Sequence, residues 1–374
     1  MNGRKVLVTG GAGFVGSHLV DALLGLGASV RILDSLDPQV HPDGGPPAWL
    51  SRDAELRVGD VRDDRALADA LRGVDVVYHL AAAVGVGQSM YRISDYTDTN
   101  TMATARLLQI LVDERVELER LVVASSMSIY GEGLYRRPDG APVERVRRDA
   151  ARLAQRQWEP VDRDGVELES RPTPEDKRLD PTSIYALTKA DQERMTLLIG
   201  AAYRIPAVAL RFFNIYGPRQ ALSNPYTGVM AIFSSRLLNG KPPLIFEDGE
   251  QRRDFVSVHD VVRALVLAVE REEAVGHALN VGSGHALSVR QVAEGLADVL
   301  DLGIPPEVTG RYRMGDIRHC TADIGRAREL LGYAPMVPLE DGLGELVEWL
   351  SHQERPHDGI EAHAAELAGH GLTV

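Results

Sequence analysis

The chain has 374 residues, 41 Lys and Arg against 54 Asp and Glu, a formal charge of −13 and one cysteine. Its length predicts two lobes around a sizeable core, and 44% apolar with 25% charged residues fits an ordinary soluble globular chain. The acidic balance argues against a nucleic-acid partner, which needs clustered Lys and Arg. Cys320 alone can build neither an internal disulfide nor a cysteine-based metal site. No apolar run reaches the length of a membrane span, and the N-terminal run is too short for a signal peptide. The expectation is a cytoplasmic protein without a metal or a membrane partner.

In chain order, residues 5–8 are a short apolar run, followed by a Gly-rich turn and by helical apolar spacing over 14–26. Further strands are predicted at 29–33, 56–58, 74–78 and 121–124, with helices at 65–71 and 101–112 between them. Residues 206–213 and 277–281 read as later strands of the same sheet. Short buried strands alternating with helices predict an α/β fold, a doubly wound parallel sheet covered on both faces. Residues 132–176 interrupt this pattern with charged side chains and Pro138, Pro142, Pro160, Pro172 and Pro174. They read as an insertion with a short helix near 143–157, of the kind that forms lids or mobile loops. Beyond residue 351 the polar tail is expected to fray. Its histidines suit a solvated tail better than a metal site.

Gly10-Gly11-Ala12-Gly13-Phe14-Val15-Gly16 lies between the first strand and the first helix. Glycines at this spacing let the backbone approach a pyrophosphate at a helix N-terminus. Glycine spacing alone is weak, but Asp34 at the end of the second strand strengthens it. A carboxylate there accepts ribose hydroxyls and repels a 2′-phosphate, which favours NAD over NADP. Asp60, in Gly59-Asp60-Val61, is placed either to reach an adenine amino group or to cap the next helix.

Tyr185-Ala-Leu-Thr-Lys189 opens a helical stretch, and residues i and i+4 share one helix face. A phenol with a reference pKa of about 10 is a poor base near neutrality. A neighbouring ammonium and a positive nicotinamide ring are expected to draw it down. Ser126 follows a strand, at the sheet edge where ligands collect, and can hold a substrate hydroxyl against the phenolate.

Gly10, Gly13, Gly16, Asp34, Ser126, Tyr185 and Lys189 together resemble the extended short-chain dehydrogenase/reductase superfamily, in its nucleotide-sugar branch. The resemblance runs from about residue 5 to 349. It implies a Rossmann domain over 1–214 and 255–282, a smaller C-terminal α/β lobe for the nucleotide sugar over 215–254 and 283–350, and a flexible tail over 351–374. His79-Leu80-Ala81-Ala82 resembles the family's fourth-strand end, and Asn100 matches an Asn near the cofactor. With these, the resemblance places Phe14, Val15, Val61, Ser125 and Phe212 at the NAD site. It assigns Ser126 to catalysis with Tyr185 and Lys189. It assigns Ser126, Ser128, Asn214, Arg253, Arg313 and Asp316 to the sugar nucleotide, the two arginines as a pyrophosphate clamp. It also implies a homodimer packed through helices at 101–112 and 185–202.

Three reactions share such a site: C4 epimerisation, 4,6-dehydration and 4-keto reduction. Dehydratases of the family carry Asp and Glu directly after the serine or threonine, where this chain has Met127 and Ser128. Asp34 disfavours a reductase fed by NADPH, so an epimerase retaining NAD is favoured. A UDP-hexose or UDP-uronate 4-epimerase and a 4-keto-6-deoxyhexose reductase are the alternatives. A non-catalytic NAD sensor is disfavoured because Ser126, Tyr185 and Lys189 are all present. Gly131-Glu132-Gly133-Leu134-Tyr135, Trp158-Glu159-Pro160, Pro172-Thr173-Pro174-Glu175-Asp176-Lys177 and Gly315-Asp316-Ile317-Arg318-His319 resemble the dTDP-L-rhamnose 4-epimerase subgroup. Some of its members carry cysteines after Trp-Glu-Pro; here Val161-Asp162-Arg163-Asp164 stands in their place. A dTDP-linked 6-deoxy-L-hexose is the substrate this implies.

Overall fold

A computed structural model describes residues 1–222, 228–313, 315–353, 366 and 369–372. The chain opens with β1 (Lys5–Thr9), α1 (Phe14–Gly25), β2 (Ser29–Asp34), β3 (Glu55–Val58), α2 (Asp64–Leu71) and β4 (Val76–His79). Next come α3 (Val86–Ser89), α4 (Ile93–Tyr96), a π-helical turn at Thr97–Met102, α5 (Ala103–Asp113) and β5 (Arg120–Ser126). The insertion holds β6 (Leu134–Arg136), α6 (Ala150–Ala154) and β7 (Glu169–Arg171). After it run α7 (Ile184–Tyr203), β8 (Ala207–Phe212), β9 (Asn214–Tyr216), α8 (Val229–Leu238), β10 (Leu244–Ile245) and β11 (Arg252–Ser257). The chain continues through α9 (Val258–Glu270), β12 (Ala278–Val281), β13 (Ala286–Ser288), α10 (Val289–Val299), β14 (Glu307–Val308) and β15 (His319–Cys320). It closes with α11 (Gly325–Leu331) and α12 (Leu339–Ser351).

Seven strands pair in the order β12-β8-β5-β4-β1-β2-β3, every pair parallel. The predicted doubly wound sheet is therefore present. Its central strands are buried along their whole length, as in β4 and β8, whereas the edge strand β3 is half-exposed. Side chains alternate between faces. Val6, Val8, Val76 and Val122 pack with Leu19, Leu23 and Leu265 on α1 and α9. Leu7, Val77 and Leu121 face the opposite way, onto Leu67, Leu107 and Leu111 of α2 and α5.

A second sheet, β13-β11-β15 with β9 beside β11, lies with α8, α10 and α12 around Phe233, Leu296, Leu343 and Leu346. A division at 214/215 and 254/255 would cut β9 and β11, which pair over Asn214↔Phe255 to Tyr216↔Ser257. That ladder, continued by α9 on the large sheet, joins the two lobes.

The insertion departs from expectation. Its helix is confined to Ala150–Ala154, where the Asp149 carboxylate accepts from Ala151 N–H at 2.6 Å. The segment is pinned rather than loose. β6 and β7 pair antiparallel, and buried Thr173 accepts from Leu134 N–H at 3.0 Å. Fully buried Arg318 donates to Glu159 in the insertion at 2.8 Å, and to Glu247 and Asp248 in the small lobe at 3.0 and 2.7 Å. The tail expected to fray falls largely outside the described residues. Of the part described, His370 stacks on Tyr91 at 4.5 Å. Among the described residues no cluster of His, Cys, Asp or Glu is placed to hold a metal ion. No helix there is long and apolar enough to cross a membrane.

Candidate active site

A cleft of about 820 Å³ follows the carboxyl ends of β1, β2, β4, β5 and β8 and continues into the small lobe. In a doubly wound sheet this edge is where ligands bind.

At the β1 end the backbone itself forms the surface. Gly10 has φ +72°, and a Cβ there would meet Ala81 N at 2.8 Å. A Cβ on Gly16 would meet Gly10 O at 2.1 Å. Gly13 is the N-cap of α1 and provides no side-chain cap, so the first N–H groups and dipole of the helix face the cleft. Asp34 is held alongside: its Oδ2 accepts from Ala12 N–H and its Oδ1 from Leu36 N–H, both at 2.9 Å. A glycine cradle, an uncapped helix N-terminus and a fixed carboxylate at the end of β2 fit NAD. Phe14, Val15, Val61, Leu80, Ala81, Ala82, Ser125 and Phe212 line the same cleft.

Asp60 lines it too, but does not cap α2. Asp63 does, accepting from Arg65 and Ala66 N–H. The Asp60 carboxylate instead pairs with Arg62, Nη2 to Oδ2 at 2.6 Å, and that hydrogen bond lowers its pKa against the opposing effect of burial.

Asn100 is not brought to the cleft. It is fully buried, accepts from Ala83 N–H at 2.8 Å and donates to Ala83 O at 3.0 Å. It therefore shapes the backbone of the cofactor wall from behind. A second buried chain supports that wall. Thr104 gives its hydroxyl hydrogen to Asn100 O at 2.7 Å, so it must accept from His79 Nε2 at 3.0 Å and Gln192 Nε2 at 2.7 Å. His79 Nδ1 then accepts from Thr9 Oγ1 at 2.9 Å, and Thr9 accepts from Ala81 N–H at 3.2 Å. Burial, aided by the Lys189 charge, lowers the His79 pKa to about 3. The ring is a neutral strut.

Ser183 caps α7 by accepting from Ala186 N–H at 3.1 Å, which sets Tyr185 and Lys189 one turn apart at the cleft floor. Ser126 accepts from Ser128 N–H at 3.2 Å and from Ser128 Oγ at 2.9 Å. With both acceptor sites engaged, its own hydrogen is left to give. Its hydrogen bond to Tyr185 lowers the phenol pKa, but burial is the larger effect and the net shift is upward. The expectation that Lys189 draws the phenol down is thus not met in the protein alone. Lys189 is itself only 2% exposed, and burial lowers its pKa to about 7 while Glu193 opposes the fall.

Glu193 is a residue that sequence reasoning missed, although it stands at the next i+4 step after Lys189. It pairs bidentately with Arg211, at 2.9 and 2.6 Å, and accepts from Ser125 Oγ at 2.7 Å. Ser125 thus lines the cleft with its hydroxyl committed to Glu193.

In the small-lobe half, Asn214 presents a buried Oδ1 without a hydrogen-bond partner among the described residues. Arg253 is less free than a pyrophosphate clamp requires. It donates to the carbonyls of Arg252, Arg318 and Ile317 at 3.0, 2.8 and 2.6 Å, and to Asp316 Oδ1 at 3.3 Å. Arg313 meets the other oxygen of Asp316 at 3.3 Å and lies over the Phe246 ring at 4.6 Å. Burial raises the Asp316 pKa, but the Arg313 and Arg253 charges outweigh it and the net shift is downward. Asp316 is thus the internal counter-ion of both arginines. Phe246, also missed, carried no signal in sequence because a lone aromatic after a short strand is ordinary core.

The sequence matches a family described as the NAD dependent epimerase/dehydratase family over residues 6–150 and 163–282. A dTDP-L-rhamnose 4-epimerase of Burkholderia thailandensis is 37% identical over 94% of this chain and 96% of its own. A UDP-glucose 4-epimerase of Thermotoga maritima, solved with UDP-glucose, superposes with a TM-score of 0.76 at 30% identity, covering 93% of this chain and 98% of that one. A UDP-glucuronic acid 4-epimerase of Bacillus cereus, solved with UDP-glucuronic acid and NAD, gives 0.76 at 28% identity, over 93% and 99%.

Proposed function

The chain belongs to the NAD-dependent epimerase/dehydratase family, and we propose that within it this protein inverts C4 of a nucleotide-activated hexose. The observation that carries this reading is the convergence of Ser126, Tyr185 and Lys189 on the glycine cradle, with Met127 and Ser128 where a dehydratase needs an acid and a base.

NAD, when bound, supplies the reversible acceptor for the C4 hydride. Tyr185, as phenolate, takes the C4 hydroxyl proton and later returns it. Ser126 donates to that phenolate and shares the substrate oxygen. Lys189 would hold its positive charge one helical turn along α7 from Tyr185, and a bound nicotinamide ring would supply a second. That second charge matters because burial alone leaves Tyr185 protonated. Binding and activation of the base are therefore linked. The Asn214 amide N–H and the Arg313 guanidinium are the donors that face the sugar diphosphate, Asp316 positions Arg313 and Arg253, and the base lies towards Phe246.

The substrate reading is a dTDP-linked 6-deoxy-L-hexose. It is supported by the 37% identical dTDP-L-rhamnose 4-epimerase and by the motifs of the insertion, which brings Glu132 and Glu159 onto Arg318 and His319 of the small lobe. A UDP-hexose or UDP-uronate is the second reading, supported by the solved relatives. Met102, Leu187, Leu198 and Tyr203, exposed on and beside α5 and α7, support a homodimer.

The test is purified protein with dTDP-L-rhamnose and no added cofactor, followed by proton NMR. Growth of the L-talose epimer to equilibrium is the expected result. No change there, with inversion of a UDP-sugar in a parallel tube, would transfer the reading to that substrate. Inversion of neither, with NAD bound, would remove epimerisation.

A further inference from the structure

Gln39 lies in the loop after β2, and Gln88 in α3 after β4. Their amides form a reciprocal pair, Gln88 Nε2 to Gln39 Oε1 at 3.2 Å and Gln39 Nε2 to Gln88 Oε1 at 3.4 Å. β2 and β4 are the two neighbours of β1 in the sheet. Side chains that meet from the loops after them must therefore span the end of β1, where Gly10 and Gly13 open the cleft. Both glutamines line that cleft. Gln88 is 7% exposed, and its Oε1 also accepts from the Tyr96 hydroxyl at 2.9 Å. The Tyr96 ring in turn packs edge-on against Tyr185 at 6.4 Å. The pair thus joins the two walls of the cofactor cleft and is rooted beside the reaction centre.

We infer that the Gln39–Gln88 amide pair is a clasp across bound NAD, so that the cofactor leaves only when the pair opens. An amide pair suits this position: it is uncharged, so it does not repel a pyrophosphate, and its two hydrogen bonds are weak enough to open for loading. A clasp of this kind suits a reaction in which one NAD must serve successive turnovers. The inference rests on the NAD site of the proposed function, but not on the sugar.

The test compares NAD exchange in wild-type protein, Gln39→Ala and Gln39→Met, each loaded with labelled NAD, desalted and chased with unlabelled NAD. Gln39→Met keeps the bulk without the amide, and Gln39 sits in a loop, so both variants are expected to keep the wild-type circular dichroism. Loss of two hydrogen bonds predicts exchange about tenfold to a hundredfold faster in both. Wild-type exchange in Gln39→Met alone would show that bulk, not the amide pair, retains NAD, and overturns the inference. Wild-type rates in both variants overturn it as well, as does wild-type protein that exchanges as fast as they do. Failure of the sugar reaction leaves the test intact, because its readout needs no sugar.

Discussion

Lys189 and Glu193 lie one helical turn apart on α7, and among the described residues Glu193 is the acidic group that raises the pKa of the buried lysine. Its carboxylate is fixed in turn by Arg211 and Ser125. Burial and this one carboxylate together set Lys189 near 7, so its charge is poised at working pH.

Glu193→Gln removes the negative charge and moves the Lys189 pKa lower still. The ammonium exists below its pKa, so activity that needs it is lost as pH rises through that value. The alkaline limb of kcat/KM is expected to shift to lower pH in the variant. The same change leaves Arg211, 5% exposed, without its anion, at a cost of about 3–5 kcal/mol. A destabilised variant with an unshifted limb would reduce Glu193 to a structural role.

Tyr185→Phe is expected to lower kcat by about 10² to 10⁴ while the protein keeps its bound NAD, read from the absorbance of the desalted protein. Ser126→Ala removes the hydrogen bond that lowers the phenol pKa. The phenolate is present above that pKa, so the acid limb of the profile moves to higher pH. Turnover at neutrality falls about tenfold to a hundredfold. Unchanged limbs in Ser126→Ala would show that the serine acts on substrate alone.

Two glycines of one helix separate backbone need from side-chain space. Gly16→Ala would place a Cβ 2.1 Å from Gly10 O, and neither backbone can move without opening the cradle. Loss of NAD binding is expected. Gly25→Ala meets nothing within 4 Å and should stabilise by up to about 1 kcal/mol. Urea titration of both variants checks the pair, and a folded, NAD-bound Gly16→Ala would refute the close-approach argument.

Docking of the insertion should outlast mild acid. Burial raises the pKa of Glu159, but hydrogen bonds from His319 and Arg318 outweigh it and bring the pKa to about 2. With the folded value below the unfolded 4.5, its contribution is complete above pH 4.5 and fades as pH falls towards 2. The protection of amides over residues 134–171, measured against an unstructured chain at the same pH, should fall across that window. In Glu159→Gln it should already be lower at neutral pH and less dependent on acid. Equal profiles would mean that the anchor lies elsewhere.

The local pattern determined the sheet, the glycine turn and the Tyr185–Lys189 pair. Strand runs, positive-φ turns and i+4 spacing depend on near neighbours, and near neighbours are what a sequence displays. Asp34 was legible for the same reason, as the last residue of a strand beside a glycine turn. The burial of the reacting groups was not legible. That Tyr185 is raised and Lys189 lowered follows from β5, β8 and α7 closing around them, a solvent exclusion that no spacing encodes. Asn100 was read as a cofactor contact because proximity in a motif does not reveal which face of the wall a side chain takes. The insertion looked loose because its partners, Arg318 and His319, lie over 140 residues downstream of most of it. Long-range ion pairs leave no period in a chain. Tertiary structure alone decided that this polar segment is pinned, that Asp316 neutralises both arginines, and that Gln39 meets Gln88 across the end of β1.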